Sequence, residues 1–183
     1  TALVEESIKE ALDFRRAMRK VDKDFGRDWW FKVWGPDKLV ADGIGTREQW
    51  MLGANEKWHG FGNLAAGFNL LDPIKSTIVT PGLDVAGKFA KTGIPASIVT
   101  KFLAEHGVVV EKTGLYSLFV MFTIGITKGR WNTLVTALQQ FKDDYDKNQP
   151  LWRILPEFCQ AHPLYERMCR RDLCEQIHGM YKA

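Results

Sequence analysis

This sequence has no long uninterrupted apolar run, few cysteines and only a small net charge. The longest apolar run, 118–126, is interrupted by Thr123 and Gly125 and falls short of the roughly 18 residues that a membrane span requires, so we predict a buried strand there and no membrane partner. Three cysteines favour a reducing compartment, and we expect the protein to be cytoplasmic. The net charge of +3 comes from dispersed basic residues, which argues against a nucleic-acid partner.

The motifs of several common enzyme classes are also missing. There is no Gly-x-Ser-x-Gly nucleophile elbow, no Gly-x-Gly-x-x-Gly opening a helix and no phosphate-binding P-loop. Two Cys/His pairs, Cys159 with His162 and Cys174 with His178, have spacings that zinc accepts. Both pairs belong to helical patterns in a chain with ample apolar core, so we expect no metal site.

The residues that are present follow helical and strand-like periods in turn. We predict helices over 3–21 and 95–106, a long helix capped by Thr127, and further helices that begin at 151 and near Pro163. The predicted strands are 29–34, 74–80, 108–110 and 118–122. The apolar face of the long helix comprises Trp131, Leu134, Val135, Leu138, Phe141 and Tyr145. The middle of the chain therefore has the order β–α–β–β–α, which predicts a small open sheet with helices on one face.

Residues 37–70 lack a regular period because glycines interrupt them, which predicts a long functional or interface loop. Within it, the run Trp58-His59-Gly60-Phe61 forms a dense aromatic group. The position of the His59 ring suits a pocket, but a packed or interfacial role is the interpretation that we favour for it.

Glu111 is the strongest single candidate for a ligand-binding residue. It follows the predicted apolar strand 108–110, where a carboxylate costs free energy unless it is paired or faces a cavity. A salt bridge to a lysine or arginine of another strand is one interpretation, and a carboxylate that receives a cationic ligand is the other. The residues alone leave both open, with the salt bridge slightly favoured.

Several motifs occur in an order that resembles a known family. They are Trp58-His59-Gly60-Phe61, Leu71-Asp72-Pro73-Ile74-Lys75, Thr80-Pro81-Gly82, Gly93-Ile94-Pro95-Ala96-Ser97-Ile98-Val99, Glu105-His106-Gly107 and Val110-Glu111-Lys112-Thr113-Gly114. Together, and along nearly the whole chain, they resemble the bacterial pyridoxal-phosphate-dependent decarboxylases of lysine, ornithine and arginine. The resemblance implies an α/β fold, the small domain of an aminotransferase-like protein with an open, mainly antiparallel sheet, a linking helix and C-terminal helices.

The resemblance also implies a division of the chain and a set of partners. Residues 1–35 would be the linking helix and aromatic strand, 36–148 the small α/β subdomain and 149–183 the start of the C-terminal domain. The partners would be a basic amino acid and the rest of the same enzyme, which forms homodimers or decamers in this family. The chain opens on Thr1 rather than methionine, which predicts a fragment or a processed piece.

The family's Ser-x-His-Lys motif, whose lysine holds the cofactor, is absent here. The resemblance therefore implies that this chain contains no catalytic residue, binds no pyridoxal 5'-phosphate by itself and is inactive alone. Glu111 matches the family glutamate that addresses the distal amino group of the substrate, and Trp58, His59 and Thr113 are pocket or interface candidates.

The substrate implied by the resemblance is lysine or ornithine, with arginine less expected. Leu115 stands where arginine-specific members carry an acid, although the segment 125–131 resembles the arginine enzymes. A stand-alone α/β binding or oligomerisation module without catalysis is the alternative function.

Overall fold

The computed structural model describes residues 2–36, 47–122, 128–148, 150–165 and 168–183. The helices in these ranges are α1 (Ala2–Phe25), α2 (Arg47–Trp50), α3 (Ala96–Glu105), α4 (Lys128–Asp146), α5 (Leu151–Ile154), α6 (Pro156–Ala161) and α7 (Arg170–Lys182). The strands are β1 (Lys32–Val33), β2 (Lys75–Val79), β3 (Lys112–Thr113) and β4 (Ser117–Met121), and short 3-10 turns cover Gly26–Asp28 and Pro163–Tyr165. No helix of the described residues is long and apolar enough to cross a membrane.

Helix α1 forms because its apolar residues recur at helical spacing and bury one stripe, comprising Ala11, Leu12, Phe14 and Met18. It extends beyond the predicted end because no breaker precedes Gly26. The buried Arg15 guanidinium attaches this helix to the sheet by donating to the carbonyl oxygens of Trp34 and Lys75, each at 3.1 Å. Burial, with a smaller contribution from the positive charge of Arg19, lowers the pKa of Arg15 to about 10.

The aromatic segment 29–34 is a strand for only two residues. Lys32 pairs with Val79 and Val33 pairs with Ile78, whereas the preceding aromatic residues pack without pairing. Trp29 and Phe31 are nevertheless buried and Trp30 is half-buried, so the side chains alternate as they do in an extended chain.

The sheet has the order β1-β2-β4-β3, and every neighbouring pair is antiparallel, which confirms the predicted fold class. Ile78 lies opposite Leu118 across the β2–β4 pair, and both side chains are buried on the same face. Side chains of α1, α3 and α4 belong to the same core as these two residues. The helices therefore cover that one face of the sheet.

The predicted strand 108–110 is wrong, and pairing begins only after it. Gly107 adopts a left-handed φ of 77° and ends α3, and the Val108 N–H then donates to Leu103 O at 2.8 Å to close the helix. The first bond to β4 comes from the Glu111 N–H, which donates to Phe119 O at 2.9 Å. Residues 108–110 lie between the end of α3 and the start of β3 without strand pairing, so their apolar side chains are outside the sheet.

Helix α4 buries the residues predicted for its apolar face, namely Trp131, Leu134, Val135, Leu138 and Phe141. Tyr145 is half-buried, and its ring packs edge-on against Trp30 at 4.5 Å between centroids. The predicted cap, Thr127, lies outside the described residues. Beyond α4, Pro156 divides the expected helix into α5 and α6, because proline cannot donate the backbone hydrogen bond that would continue α5.

Two hydrogen bonds of the buried His178 ring join α7 to Tyr116, just before β4, and to Ala90, in the segment between β2 and α3. The His178 ring must donate its Nε2–H to Ala90 O at 2.9 Å, because a carbonyl only accepts, and its Nδ1 then accepts from the Tyr116 hydroxyl. Burial raises the pKa of the Tyr116 phenol. A Cβ on Gly82 would lie 2.5 Å from Tyr116 Cε1, and one on Gly93 would lie 2.5 Å from His178 Nδ1. Both positions therefore require glycine.

Replacing Gly82 by alanine is expected to destabilise the protein by about 2–4 kcal/mol, because the φ of 130° and the contact with Tyr116 are both incompatible with a side chain. The control is Gly87→Ala, since Gly87 also has a positive φ but no atom lies within 4 Å of the position that a Cβ would take, so only about 1 kcal/mol is expected there. Denaturant unfolding of both variants measures the difference, and equal losses would contradict this packing.

Candidate functional site

Glu111 lies on the rim of a cavity of about 610 Å³ between the end of α3, the end of β4 and the start of α4. The described lining residues are Gly107, Val108, Val109, Glu111, Val120, Met121, Phe122, Arg130, Trp131, Thr133 and Leu134. A neighbouring cavity of about 630 Å³ shares Thr133 with it and also borders His106, but it contains none of the residues predicted for ligand binding. The cavity beside Glu111 is therefore the candidate site.

The Glu111 side chain is exposed, so the prediction that it sits at the end of a buried strand is wrong. Its backbone is held by the bond to Phe119 O, which aims the side chain without burying it. Among the described residues, no ion pair or hydrogen bond involves its carboxylate, so the salt-bridge interpretation finds no support in that part of the chain. The side chain is therefore exposed to solvent and accessible to a ligand.

Most of the described lining residues are apolar by type, and the lining also carries one acid and one base, Glu111 and Arg130. Arg130 is exposed in the first turn of α4, and the sequence reasoning did not select it. Carboxylate, guanidinium and aliphatic walls together suit a ligand with a carbon chain and charges of both signs. The feature of the sequence that could have identified Arg130 is its position. It lies in the first turn of a helix that follows a strand, and such a turn lies beside the end of that strand.

Two aromatic rings, Phe122 and Trp131, form part of the wall and are supported from behind by α1. The Phe14 ring lies 5.4 Å from Phe122 and 6.2 Å from Trp131 between centroids. The Trp131 indole N–H donates to the Glu10 carboxylate at 2.7 Å. The wall is thus held by a helix that begins far earlier in the chain.

Thr113 is not among the described residues that line the cavity. It is exposed on β3, where its Oγ1 lies 2.8 Å from the Thr100 Oγ1 of α3. This contact holds the edge strand against the helix, so the structure gives Thr113 a supporting position beside the site.

Trp58 and His59 also lie away from the cavity, in an aromatic group with Trp34 and Phe61. His59 is 3% exposed; its Nε2–H donates to Gly53 O at 2.6 Å and its Nδ1 accepts from the Phe61 N–H at 3.0 Å. The Trp34 and Trp58 rings meet edge-on at 4.9 Å. Both nitrogens of His59 are occupied by the backbone, so within this chain the ring has a packing role.

The two Cys/His pairs are not arranged around a metal. Cys159 and Cys174 are buried and form no disulfide, and His178 uses both ring nitrogens for Tyr116 and Ala90. Across the described ranges, no group of three or more His, Cys, Asp or Glu side chains is placed to hold a metal ion.

The lining residues do not fit covalent attachment of pyridoxal phosphate. Such attachment needs a lysine amine, and the described lining contains an arginine but no lysine. The donor set therefore offers a cation-binding carboxylate and an anion-binding guanidinium, and no nucleophilic amine.

Comparisons with known proteins agree with one another. The sequence profile described as "Orn/Lys/Arg decarboxylase, major domain" matches residues 1–130. Lysine decarboxylase LdcA of Pseudomonas aeruginosa is 50% identical in an alignment of 184 positions that covers 99% of this chain and 24% of that protein. The biodegradative arginine decarboxylase of Escherichia coli is 34% identical in an alignment of 199 positions that covers 99% of this chain and 26% of that protein.

The solved structure of lysine decarboxylase A from Pseudomonas aeruginosa superimposes with a TM-score of 0.90 at 49% identity, covering 99% of this chain and 24% of that one. This chain thus spans about a quarter of the length of the curated relatives it matches.

Replacing Glu111 by glutamine is expected to change the free energy of unfolding by less than about 0.5 kcal/mol, because the carboxylate is exposed and unpaired in the described structure. His59→Ala is the comparison variant and is expected to cost about 2–4 kcal/mol, since it removes a buried ring and two hydrogen bonds. Thermal or denaturant unfolding measures both. A large loss in Glu111→Gln would mean that the carboxylate has a structural partner.

Proposed function

Because the chain belongs to the Orn/Lys/Arg decarboxylase family, we propose that it is part of a pyridoxal-phosphate-dependent enzyme that converts a basic amino acid to its diamine and CO₂. The family resemblance predicted from the ordered motifs is confirmed. The proposal concerns the substrate, the cofactor and the assembly of the whole enzyme, since this chain covers about a quarter of its relatives.

The observation that carries the proposal is the exposed carboxylate of Glu111, which has no partner among the described residues and lies beside the apolar side chains that line the cavity. A basic amino acid has an aliphatic chain that ends in a cation, and the walls and the carboxylate match these two parts. A charge-assisted hydrogen bond from a distal ammonium to Glu111 would contribute about 1.5–3 kcal/mol, enough to select a cationic side chain over a neutral one.

The chemistry of the reaction itself belongs to residues outside this chain. Pyridoxal phosphate supplies the electron sink for loss of the carboxylate, and the Ser-x-His-Lys motif that would hold it is not in this sequence. The role proposed here for this chain is to bind and orient the far end of the substrate.

Lysine is the substrate we favour, with ornithine next. The relative that is 50% identical is named a lysine decarboxylase and the one that is 34% identical is named an arginine decarboxylase. Leu115, an exposed apolar residue near Glu111 in sequence, offers no second acid for a guanidinium. The segment 123–127, which includes part of the arginine-like sequence, lies outside the described residues.

Parts of the same enzyme, and a second copy of it, are the partners that we propose. Val109 is 88% exposed and Leu115 is 51% exposed, and both flank Glu111 in sequence. Exposed apolar side chains beside a charged site favour coverage by another protein surface. We also propose that the whole enzyme forms the homodimer or decamer of the family and is located in the cytoplasm. The three cysteines form no disulfide, which is consistent with a reducing compartment.

In the full-length enzyme that contains this chain, Glu111→Gln is expected to raise KM for lysine about tenfold or more, because the charge-assisted bond to the distal ammonium is lost. Cofactor content, measured by absorbance of the bound cofactor, should stay at the wild-type level. The matched control is Glu157→Gln, an exposed glutamate on α6. An unchanged KM in Glu111→Gln would remove Glu111 from the substrate site.

The 183-residue chain alone is expected to release no CO₂ from lysine, ornithine or arginine in the presence of pyridoxal phosphate, since the cofactor-holding lysine motif is missing. The full-length enzyme serves as the positive control in the same manometric or coupled assay. Turnover by the isolated chain would overturn the proposed division of roles.

A further inference from the structure

The Trp131 indole is both a wall of the candidate site and a buried polar group. The residue is 6% exposed and lines the cavity that contains Glu111. Its ring packs edge-on against Phe14, with an interplanar angle of 69°, so the side chain is confined on its apolar faces. A buried indole N–H needs an acceptor, and the direction of that acceptor decides how the ring is turned.

Glu10, a residue of α1, provides that acceptor. Its Oε2 lies 2.7 Å from the Trp131 Nε1, across 121 positions of sequence, and the bond joins α1 to α4. A carboxylate acceptor makes this a charge-assisted bond, which is shorter and stronger than one between neutral groups. The indole N–H therefore points away from the cavity, toward α1.

Without Glu10 the N–H would need another acceptor. Glu111 is the one carboxylate among the described residues that line the cavity, and its oxygens have no partner in the described part of the chain. An indole N–H that turned toward Glu111 would occupy the group proposed to receive the distal ammonium. The same change would move the aromatic wall into the space of the substrate chain.

We propose that Glu10 is a positioning residue for the substrate cavity: it holds the Trp131 indole in the wall and so keeps the Glu111 carboxylate available for the cation of the ligand. The inference rests on the proposed function, because it assigns Glu111 the ammonium of a basic amino acid. It adds a residue of α1 that does not touch the substrate and acts only through Trp131.

The experiment measures KM and kcat for lysine in the full-length enzyme that contains this chain. Glu10→Leu removes the acceptor and is expected to raise KM about fivefold or more with kcat within about twofold, because binding is impaired and the reacting groups are untouched. Glu10→Gln keeps an acceptor oxygen and is expected to stay within about twofold of wild type. Glu6→Leu, an exposed glutamate on the same helix, is the matched control.

A second variant separates positioning from a merely structural role. Trp131→Phe keeps an aromatic ring in the wall but has no N–H that could turn toward Glu111, so its own KM is the reference for the double variant. Adding Trp131→Phe to Glu10→Leu should restore KM to the value of Trp131→Phe alone. If the bond only tied α1 to α4, the double variant would bind no better than Glu10→Leu.

The outcomes are distinguishable. An unchanged KM in Glu10→Leu, while Glu111→Gln still raises KM about tenfold, overturns the role of Glu10 and leaves the proposed function standing. An unchanged KM in Glu111→Gln overturns the proposed function as well. If Glu10→Leu does not fold, a folded double variant with the same KM as Trp131→Phe supports the inference, and a KM about fivefold above that of Trp131→Phe overturns it.

Discussion

Backbone pairing on both edges of β4 is the interaction on which the rest of this structure depends. Phe119 lies opposite Thr77 of β2 on one side and Lys112 of β3 on the other, and its carbonyl also accepts the Glu111 N–H. After α3, the chain therefore runs alongside β4 in the antiparallel direction, and this pairing fixes where its side chains lie. That path places Glu111 beside the end of β4, where the cavity opens.

The strands are too short to form a stable sheet by themselves, since β1 and β3 have two residues each. Their stability comes from the core that α1, α3 and α4 build over the face of Ile78 and Leu118. The same core includes residues of α7, so the segments 1–35, 36–148 and 149–183 share buried surface in this chain. Their division into parts of separate domains stays a prediction.

The candidate site combines a solvated charge with a rigid wall. An exposed carboxylate keeps its hydration while the site is empty, so the fold does not have to offset the cost of burying Glu111. The aromatic wall, in contrast, is fixed by burial of Phe122 and by the charge-assisted bond of Trp131. In the proposed enzyme, the rest of the protein would cover this rim and strengthen the interaction between Glu111 and the ligand by excluding water.

Local pattern was enough to predict β2, β4, the buried face of α4 and the glycine that ends α3, because each depends on residues a few positions apart. It was also enough to select Glu111 and the family, through motifs in order. The absence of a strand at 108–110, the exposure of Glu111 and the bonds from Glu10 to Trp131 and from Tyr116 to His178 were decided only by tertiary structure. Those contacts join residues that are adjacent only after the helices pack on the sheet, and helix closure at Gly107 competed successfully with the strand propensity of the valines that follow.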